Sequence, residues 1–83
     1  MTNEALAEAL EYLITGFAHH PDDVQIDIHD RGFEVRVHPD DLGRVIGRRG
    51  HTVQALRTVM NALAGHRRVR VDIIDTDRER DHS

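Results

Sequence analysis

The 83-residue chain contains no cysteine, lysine or tryptophan. Without cysteine it can form neither a disulfide nor a thiolate metal site, so the sequence favours a reducing cytoplasm. Its three aromatic residues are all predicted to lie in the core, which argues against a binding surface of stacked rings. No apolar run approaches the roughly 20 residues of a membrane span, and glutamates interrupt the N-terminal segment, so we expect a soluble protein without a signal peptide.

Acidic residues are missing from one long stretch of this otherwise acidic chain. Residues 42–71 contain seven arginines and no acid, a net charge of +7. The rest of the chain holds all fifteen acids and four arginines, a net charge of -11. A basic block on an acidic body indicates an anionic ligand that is met at one place. The alternative is a solvated basic face with no ligand.

Apolar spacing predicts three helices and three strands. Spacings of three and four predict a first helix from Thr2 or Asn3 to about Ala18, ended by Pro21. Alternating residues before and after the turn at residues 29–32 predict a β-hairpin, with Gly32 available for a positive φ. A short helix then ends at Gly47, a longer one ends at Gly65, and a last strand follows. The longer helix is predicted to turn Val53, Leu56, Met60 and Leu63 inward.

This element order, αββααβ, predicts an α+β domain with three helices on one face of a three-stranded mixed sheet. The two-helix crossover should make the second and third strands parallel, while the hairpin makes the first two antiparallel. We assign residues 1–75 to this single domain. The polar residues 76–83 lack apolar side chains and are predicted to be a disordered tail.

Two glycines enclose two arginines in the segment VIGRRG, between the second and third helices. Glycine permits a tight turn and close approach of another backbone, and free N–H groups at the start of the next helix attract phosphate. Arg48 and Arg49 add positive charge there. A simple helix–helix corner with solvated arginines is the alternative. Gly43 has two interpretations, close approach of a ligand or merely poor helix propensity.

The segment VIGRRGHTVQALRTVMNAL resembles the signature of KH domains, a V-I-G-x-x-G loop followed by apolar positions on the next helix. The element order is that of the type II KH fold. From the first helix to Ile74 the chain resembles the KhpA family, small stand-alone bacterial KH proteins, and PDDV before the first strand and ALRTVMNAL also match. Arginine fills both variable loop positions, and the acidic tail is a departure from the family.

The resemblance implies binding of single-stranded RNA, with the loop clamping the backbone of about four nucleotides. Ile46 and Val53 have two interpretations. They line the floor of the RNA site under the bases, or they belong to the hydrophobic core, and the two roles are compatible. Because the loop is expected to face solvent, Gly47→Asp should remove RNA binding and leave the fold largely intact. The RNA-binding residues that the resemblance implies are Arg44, Ile46, Gly47, Arg48, Arg49, Gly50, Val53, Arg67, Arg68 and Arg70.

Family resemblance further implies an RNA chaperone or post-transcriptional regulator, a larger KhpB-like partner with a KH domain, and a link to cell shape and cell-wall growth. The alternative function is a protein-interaction adaptor whose KH fold serves dimerisation. On a helical wheel Ala55, Val59 and Ala62 extend the apolar arc of the long helix, which predicts a homodimer or heterodimer interface. The same arc could instead pack beneath the first helix.

The sequence gives little indication of a metal site or of an enzyme active site. His19, His20, Asp22 and Asp23 surround Pro21, but a histidine pair at a helix end followed by carboxylates has an ordinary explanation in helix-dipole and turn terms. No nucleophile with an oriented base can be identified. We therefore predict a non-enzymatic protein without a metal or cofactor.

Overall fold

A computed structural model describes residues 1–65 and 67–75 of the chain. The predicted disordered tail lies outside these residues, so it stays a prediction. The helices and strands, in chain order, are α1 (Asn3–Thr15), β1 (Gln25–His29), β2 (Gly32–Arg36), α2 (Pro39–Ile46), α3 (His51–Ala64) and β3 (Arg70–Ile73). Short 3₁₀ turns occupy Pro21–Asp23 and Arg48–Gly50. The predicted αββααβ order is confirmed.

Helix α1 begins as predicted but ends earlier. Thr2 caps it by accepting a hydrogen bond from the Ala5 backbone N–H at 3.1 Å. The helix stops at Thr15 instead of Ala18. The reason is a competing acceptor, because the amides of His19 and His20, which a longer helix would use, donate instead to the carboxylate of Asp41. Pro21 starts the following 3₁₀ turn and does not itself end the helix.

The sheet has the order β1-β2-β3, with the predicted pairing. Strands β1 and β2 are antiparallel, with Ile28 opposite Phe33, and β2 and β3 are parallel, with Phe33 opposite Val71. Gly32 does not take the positive φ that the sequence suggests. It is instead needed for close approach, because a Cβ at Gly32 would lie 2.6 Å from the backbone nitrogen of Arg70.

The core lies between one face of the sheet and all three helices, as predicted. Each helix contributes fully buried side chains, for example Leu10 from α1, Val45 from α2 and Met60 from α3, and these pack against residues such as Val35 of β2. The opposite face of the sheet is charged and partly exposed, and there Arg36 donates to Asp27 at 2.7 Å. This alternation follows from the two-residue period of a strand.

Two predicted core positions are wrong. Tyr12, expected in the core with the other aromatic residues, has a side chain that is 78% exposed on α1. Leu63, expected on the inward stripe of α3, is 40% exposed, and Ala64 is buried in its place. Four residues after Met60 the helix has turned about 40° past a full circle, closer to the inward direction than the three-residue step to Leu63.

No helix within residues 1–65 and 67–75 combines the length and apolar character needed to cross a membrane.

Candidate functional site

The GRRG loop, residues 47–50, joins α2 to α3 through three residues with positive φ. Gly47 has φ 79° and ψ 172°, Arg49 has φ 57° and ψ 24°, and Gly50 has φ 76° and ψ 15°. Arg49 is the one non-glycine residue with positive φ among those described. An L-residue held in the left-handed region costs about 1–2 kcal/mol, so the loop holds Arg49 in an unfavourable conformation.

Gly47 is fixed by its surroundings as well as by its φ. A Cβ at this position would lie 2.7 Å from both the Cβ and the backbone nitrogen of Thr52. A side chain at Gly47 would therefore push the loop away from the start of α3, so we expect Gly47→Asp to disturb the loop as well as RNA binding. A Cβ at Gly50, in contrast, would have only the Cγ1 methyl of Val53 nearby, at 3.9 Å, so the requirement at Gly50 is the positive φ alone.

The loop presents its positive charge at the beginning of α3. Gly50 occupies the N-cap position, and no side chain caps this helix. Arg48 and Arg49 are both exposed, and neither forms an ion pair with another residue that the structure describes. An uncapped helix N-terminus beside two unpaired guanidinium groups favours an anion.

Arg44 is held by a buried carboxylate. Its Nη1 donates to Asp41 Oδ1 at 2.7 Å, and Asp41 is completely buried. The other donors to Asp41 are the backbone N–H groups of His19 and His20, at 2.9 and 2.8 Å. Burial acts to raise the pKa of Asp41, but these hydrogen bonds outweigh it, so the pKa lies below its ordinary value. Arg44 thus has a structural role that the sequence does not reveal.

Ile46 and Val53, which the sequence leaves open to two interpretations, differ in the structure. Ile46 is 38% exposed at the end of α2, so it does not belong to the core. Val53 is buried, yet it lies outside the main core cluster, and its Cγ1 methyl would lie 3.9 Å from a Cβ placed at Gly50. Ile46 is therefore accessible to a ligand, whereas Val53 is buried close to the loop.

A second basic feature is a groove between α3 and β3, with a volume of about 750 Å³. We name it the α3/β3 groove. It contains Arg67, Arg68 and Arg70, three of the residues that the family resemblance implies in RNA binding. The groove is lined by Gln54, Arg57, Thr58, Asn61, Gly65, Arg67, Arg68, Val69, Arg70, Val71 and Asp72.

Side chains of α3 hold the groove at its base. Asn61 Oδ1 accepts from the Val69 N–H at 3.1 Å, and Asn61 Nδ2 donates to the Val69 carbonyl at 3.2 Å. Arg57 Nε donates to the carbonyl of Val71 at 3.1 Å. These bonds bind the outer edge of β3 to α3. The sequence prediction omits both residues, and the only available signal is that polar positions 57 and 61 fall four residues apart on one helix face.

The three predicted arginines of the groove are not equivalent. Arg67 donates to the Met1 carbonyl at 2.7 Å and to Asn3 Oδ1 at 2.9 Å, so it fastens the N-terminus. Arg70 lies 3.6 Å from an Asp72 oxygen. Arg68 is exposed and has no ion-pair partner among the residues described. Its guanidinium is the one of the three most available to an anionic ligand.

The predicted site is divided over two neighbouring features. The GRRG loop is joined to the N-terminus of α3, and the groove runs along the same helix from Gln54 onward. Arg44, Ile46 and Val53 lie with the loop and do not line the groove. Helix α3 is the element that connects the two features.

A third side of α3 is apolar and exposed. Ala55, Val59 and Ala62, which we call the α3 flank, are all exposed, with Val59 at 42%. They therefore do not pack beneath α1, which is the alternative interpretation of this arc. Leu63 adjoins the flank and is exposed as well.

Comparison with known proteins gives a consistent result. The family model described as KhpA/KhpB, KH domain, matches residues 7–74. A protein of Streptomyces coelicolor named RNA-binding protein KhpA is 56% identical over 79 residues, covering 90% of this chain and 99% of that protein. Proteins with the same name from Leifsonia xyli and Mycobacterium tuberculosis are 55% and 49% identical over 84% and 87% of this chain, and over 97% and 94% of their own lengths. No solved structure matches the chain.

Proposed function

The chain belongs to the KhpA/KhpB family of KH domains, and on that basis we propose that it binds single-stranded RNA, with the GRRG loop holding the phosphate backbone. The family is one of RNA-binding domains and not of enzymes, which agrees with the sequence prediction of a non-catalytic protein. The relatives named above are described as RNA-binding proteins.

The observation that carries this proposal is the combination found at the GRRG loop. An uncapped helix N-terminus, two exposed guanidinium groups and a backbone with three positive φ angles occur within residues 47–51. Together they favour a phosphate, and KH domains use a G-x-x-G loop to clamp about four nucleotides of backbone. Arg44 flanks this clamp, although its bond to Asp41 limits it to a supporting contact.

The bases of the bound RNA would follow α3 into the α3/β3 groove. Ile46, exposed beside the loop, would contact a sugar or base, and Val53 would support the loop. Arg68 and Arg70 would contact phosphate or base edges, while Arg67 is largely committed to the N-terminus. Gln54 and Thr58 also line the groove, and base recognition there would use hydrogen bonds with these two side chains, because Asn61 is already bonded to Arg57 and Val69.

A single site of about four nucleotides gives weak binding, so we further propose that the chain acts as a dimer. The α3 flank supports this assignment, because it is exposed and apolar. With about 100° between successive helical residues, Val59 lies about 160° around α3 from Arg57 and Asn61, whereas Ala55 and Ala62 lie only about 60° and 40° from Thr58 at the rim of the groove. A second copy, or a KhpB-like protein with a related KH domain, that is centred on Val59 would therefore border the groove and leave its base open.

Within this proposal the chain serves as an RNA chaperone or post-transcriptional regulator in the cytoplasm, with a connection to cell shape and cell-wall growth. The alternative function, a dimerisation adaptor for which RNA is incidental, is favoured by the same exposed flank. The two differ in whether the protein retains short single-stranded RNA in a salt-dependent manner. Crosslinking the protein to RNA in cells and sequencing the bound fragments would identify its targets.

The direct test is a gel shift with short single-stranded RNA at several salt concentrations. Arg48→Asp, alone and with Arg49→Asp, should abolish binding or weaken it strongly, since carboxylates would replace guanidinium groups facing phosphate. For every phosphate that the loop no longer neutralises, the log–log salt dependence should also become shallower by about 0.7. Arg31→Asp makes the same charge change at the hairpin turn and should bind nearly as the wild type does. If Arg48→Asp and Arg31→Asp bind equally well, the loop is not the clamp.

A further inference from the structure

Two histidines and a carboxylate from separate segments meet at the start of α2. His20 Nε2 lies 3.5 Å from Asp40 Oδ2, and His38 Nδ1 lies 3.7 Å from the same oxygen. One ligand atom from each of the three residues lies within 4.8 Å of the other two. Around a tetrahedral zinc ion, with bonds of about 2.0–2.1 Å, ligand atoms are about 3.3–3.4 Å apart. Two of the three distances between the ligand atoms, 3.5 Å and 3.7 Å, are therefore already close to the spacing that a zinc ion requires.

We propose that His20, His38 and Asp40 form a binding site for a divalent transition-metal ion of the zinc class. Two imidazoles and one carboxylate supply three ligands, and water would take the fourth position. The metal interpretation of the sequence centres on His19, His20, Asp22 and Asp23. The structure retains only His20 from that set and adds two ligands from the start of α2.

The three ligands are held at one fixed junction of the fold. The buried carboxylate of Asp41 accepts hydrogen bonds from the backbone N–H groups of His19 and His20, which positions His20 beside α2. His38 is the N-cap of α2, and Asp40 belongs to its first turn. Both histidine side chains remain partly exposed, at 40% for His20 and 28% for His38, so an ion can enter from solvent.

Metal binding at this junction has two costs. The His20 and His38 rings are stacked, with centroids 3.8 Å apart and planes 14° apart. Because imidazole lone pairs lie in the ring plane, parallel rings cannot both point at one ion, and one ring must turn. His38 Nδ1 also accepts the Asp40 N–H at 3.0 Å, and a metal at this ring would replace that bond. These costs predict a site of modest affinity that is occupied reversibly.

The test is a titration of the untagged full chain with zinc chloride, followed by isothermal calorimetry. We expect one ion per chain, and we expect His20→Ala and Asp40→Asn each to weaken binding on the order of tenfold or more. His29→Ala is the matched control, because His29 lies on the hairpin and pairs with Glu34 at 3.0 Å. It should leave the zinc affinity unchanged. Cobalt(II) in place of zinc should give the visible absorption of a tetrahedral site, lost in His20→Ala.

His38 needs a separate variant because it caps α2. His38→Asn retains a side-chain oxygen that can accept the Asp40 N–H, so it should fold while losing an imidazole ligand. Circular dichroism checks the fold, and its zinc affinity should fall as it does in His20→Ala. The proposal is overturned if the wild type binds no zinc, or if His20→Ala, His38→Asn and Asp40→Asn bind it as tightly as His29→Ala. Neither result depends on RNA binding.

Discussion

Gly47 and Thr52 meet across the GRRG loop with no room for a side chain between them, since a Cβ at Gly47 would lie 2.7 Å from the Thr52 backbone nitrogen. Five residues apart, they bring the end of α2 against the start of α3. The glycine is therefore part of the loop's construction and not only of its contact with a ligand.

Gly47→Ala should consequently lower the free energy of unfolding, by about 1–3 kcal/mol, because it adds both a clash and a strained backbone. Gly43→Ala is the matched control. It lies in the interior of α2, and its Cβ position has no atom within 4 Å, so it should stabilise the protein by about 0.5–1 kcal/mol. Urea unfolding measures both. Equal stability of the two variants would contradict the close contact between Gly47 and Thr52.

Gly43→Ala also tests whether Gly43 allows close approach of a ligand. If Gly43→Ala is more stable and binds RNA normally, the glycine is merely a poor helix former. If it is more stable but binds RNA less tightly, RNA approaches the backbone at this position. A gel shift on the folded variant distinguishes the two interpretations.

Arg49→Gly should separate stability from binding. Glycine removes the left-handed strain of about 1–2 kcal/mol but adds flexibility to the unfolded chain, so the free energy of unfolding should stay constant or rise by up to about 1 kcal/mol. RNA affinity should fall, because an exposed guanidinium is lost. Thermal unfolding and a gel shift on the same preparation measure both quantities. A marked loss of stability would show that the Arg49 side chain supports the loop.

Asp41→Asn should destabilise the protein although the side chains are nearly the same size. The carboxylate accepts from two backbone N–H groups and from Arg44, whereas an amide has one acceptor oxygen and must turn an NH₂ towards one of these donors. A buried donor left unsatisfied costs about 1–3 kcal/mol. Urea unfolding checks this, with Asp40→Asn as the exposed neighbour that should change stability little.

Asp41 also shows where sequence reasoning ends. Pro39, Asp40 and Asp41 have the chemistry of a helix start, which is correct for α2. The pattern cannot distinguish the exposed carboxylate of Asp40 from the buried one of Asp41. The backbone N–H groups that donate hydrogen bonds to Asp41 belong to residues more than twenty positions earlier. The same long-range bonds make α1 shorter than its apolar spacing predicts.

Local patterns are sufficient where neighbours in sequence are also neighbours in space. The hairpin, the parallel third strand and the two-helix crossover around the GRRG loop follow from alternation and glycine positions. The α3/β3 groove could not be predicted in detail, because Asn61 and Arg57 reach carbonyls at β3 that only the folded chain brings near. The prediction for Tyr12 is wrong because aromatic character alone does not fix the direction of a side chain on a helix.

Asn61→Ala should weaken the attachment to α3 of Val69, the residue that precedes β3. The change removes the partner of the Val69 N–H and one partner of its carbonyl in a partly buried position, which should cost about 1–3 kcal/mol of unfolding free energy. Gln54→Ala, an exposed residue on the same helix, should cost close to nothing. Hydrogen exchange should show faster exchange at Val69 in Asn61→Ala. Unchanged exchange there would contradict the role of this side chain as a clamp.

Val59→Asp tests the α3 flank as a dimer interface. Val59 is 42% exposed, so an aspartate there can remain solvated and the domain should fold. If a second copy covers the flank, the change buries a charge against apolar side chains and light scattering should show a monomer. Affinity for a four-nucleotide RNA should stay nearly constant, whereas affinity for long RNA should fall on the order of 10²-fold as avidity is lost. Tyr12→Asp is the matched control, because it adds the same charge at a side chain that is 78% exposed on α1 and does not belong to the flank. It should leave both the dimer and the RNA affinity unchanged. A wild type that is monomeric at high concentration, or a Val59→Asp protein that stays dimeric, would rule out this interface.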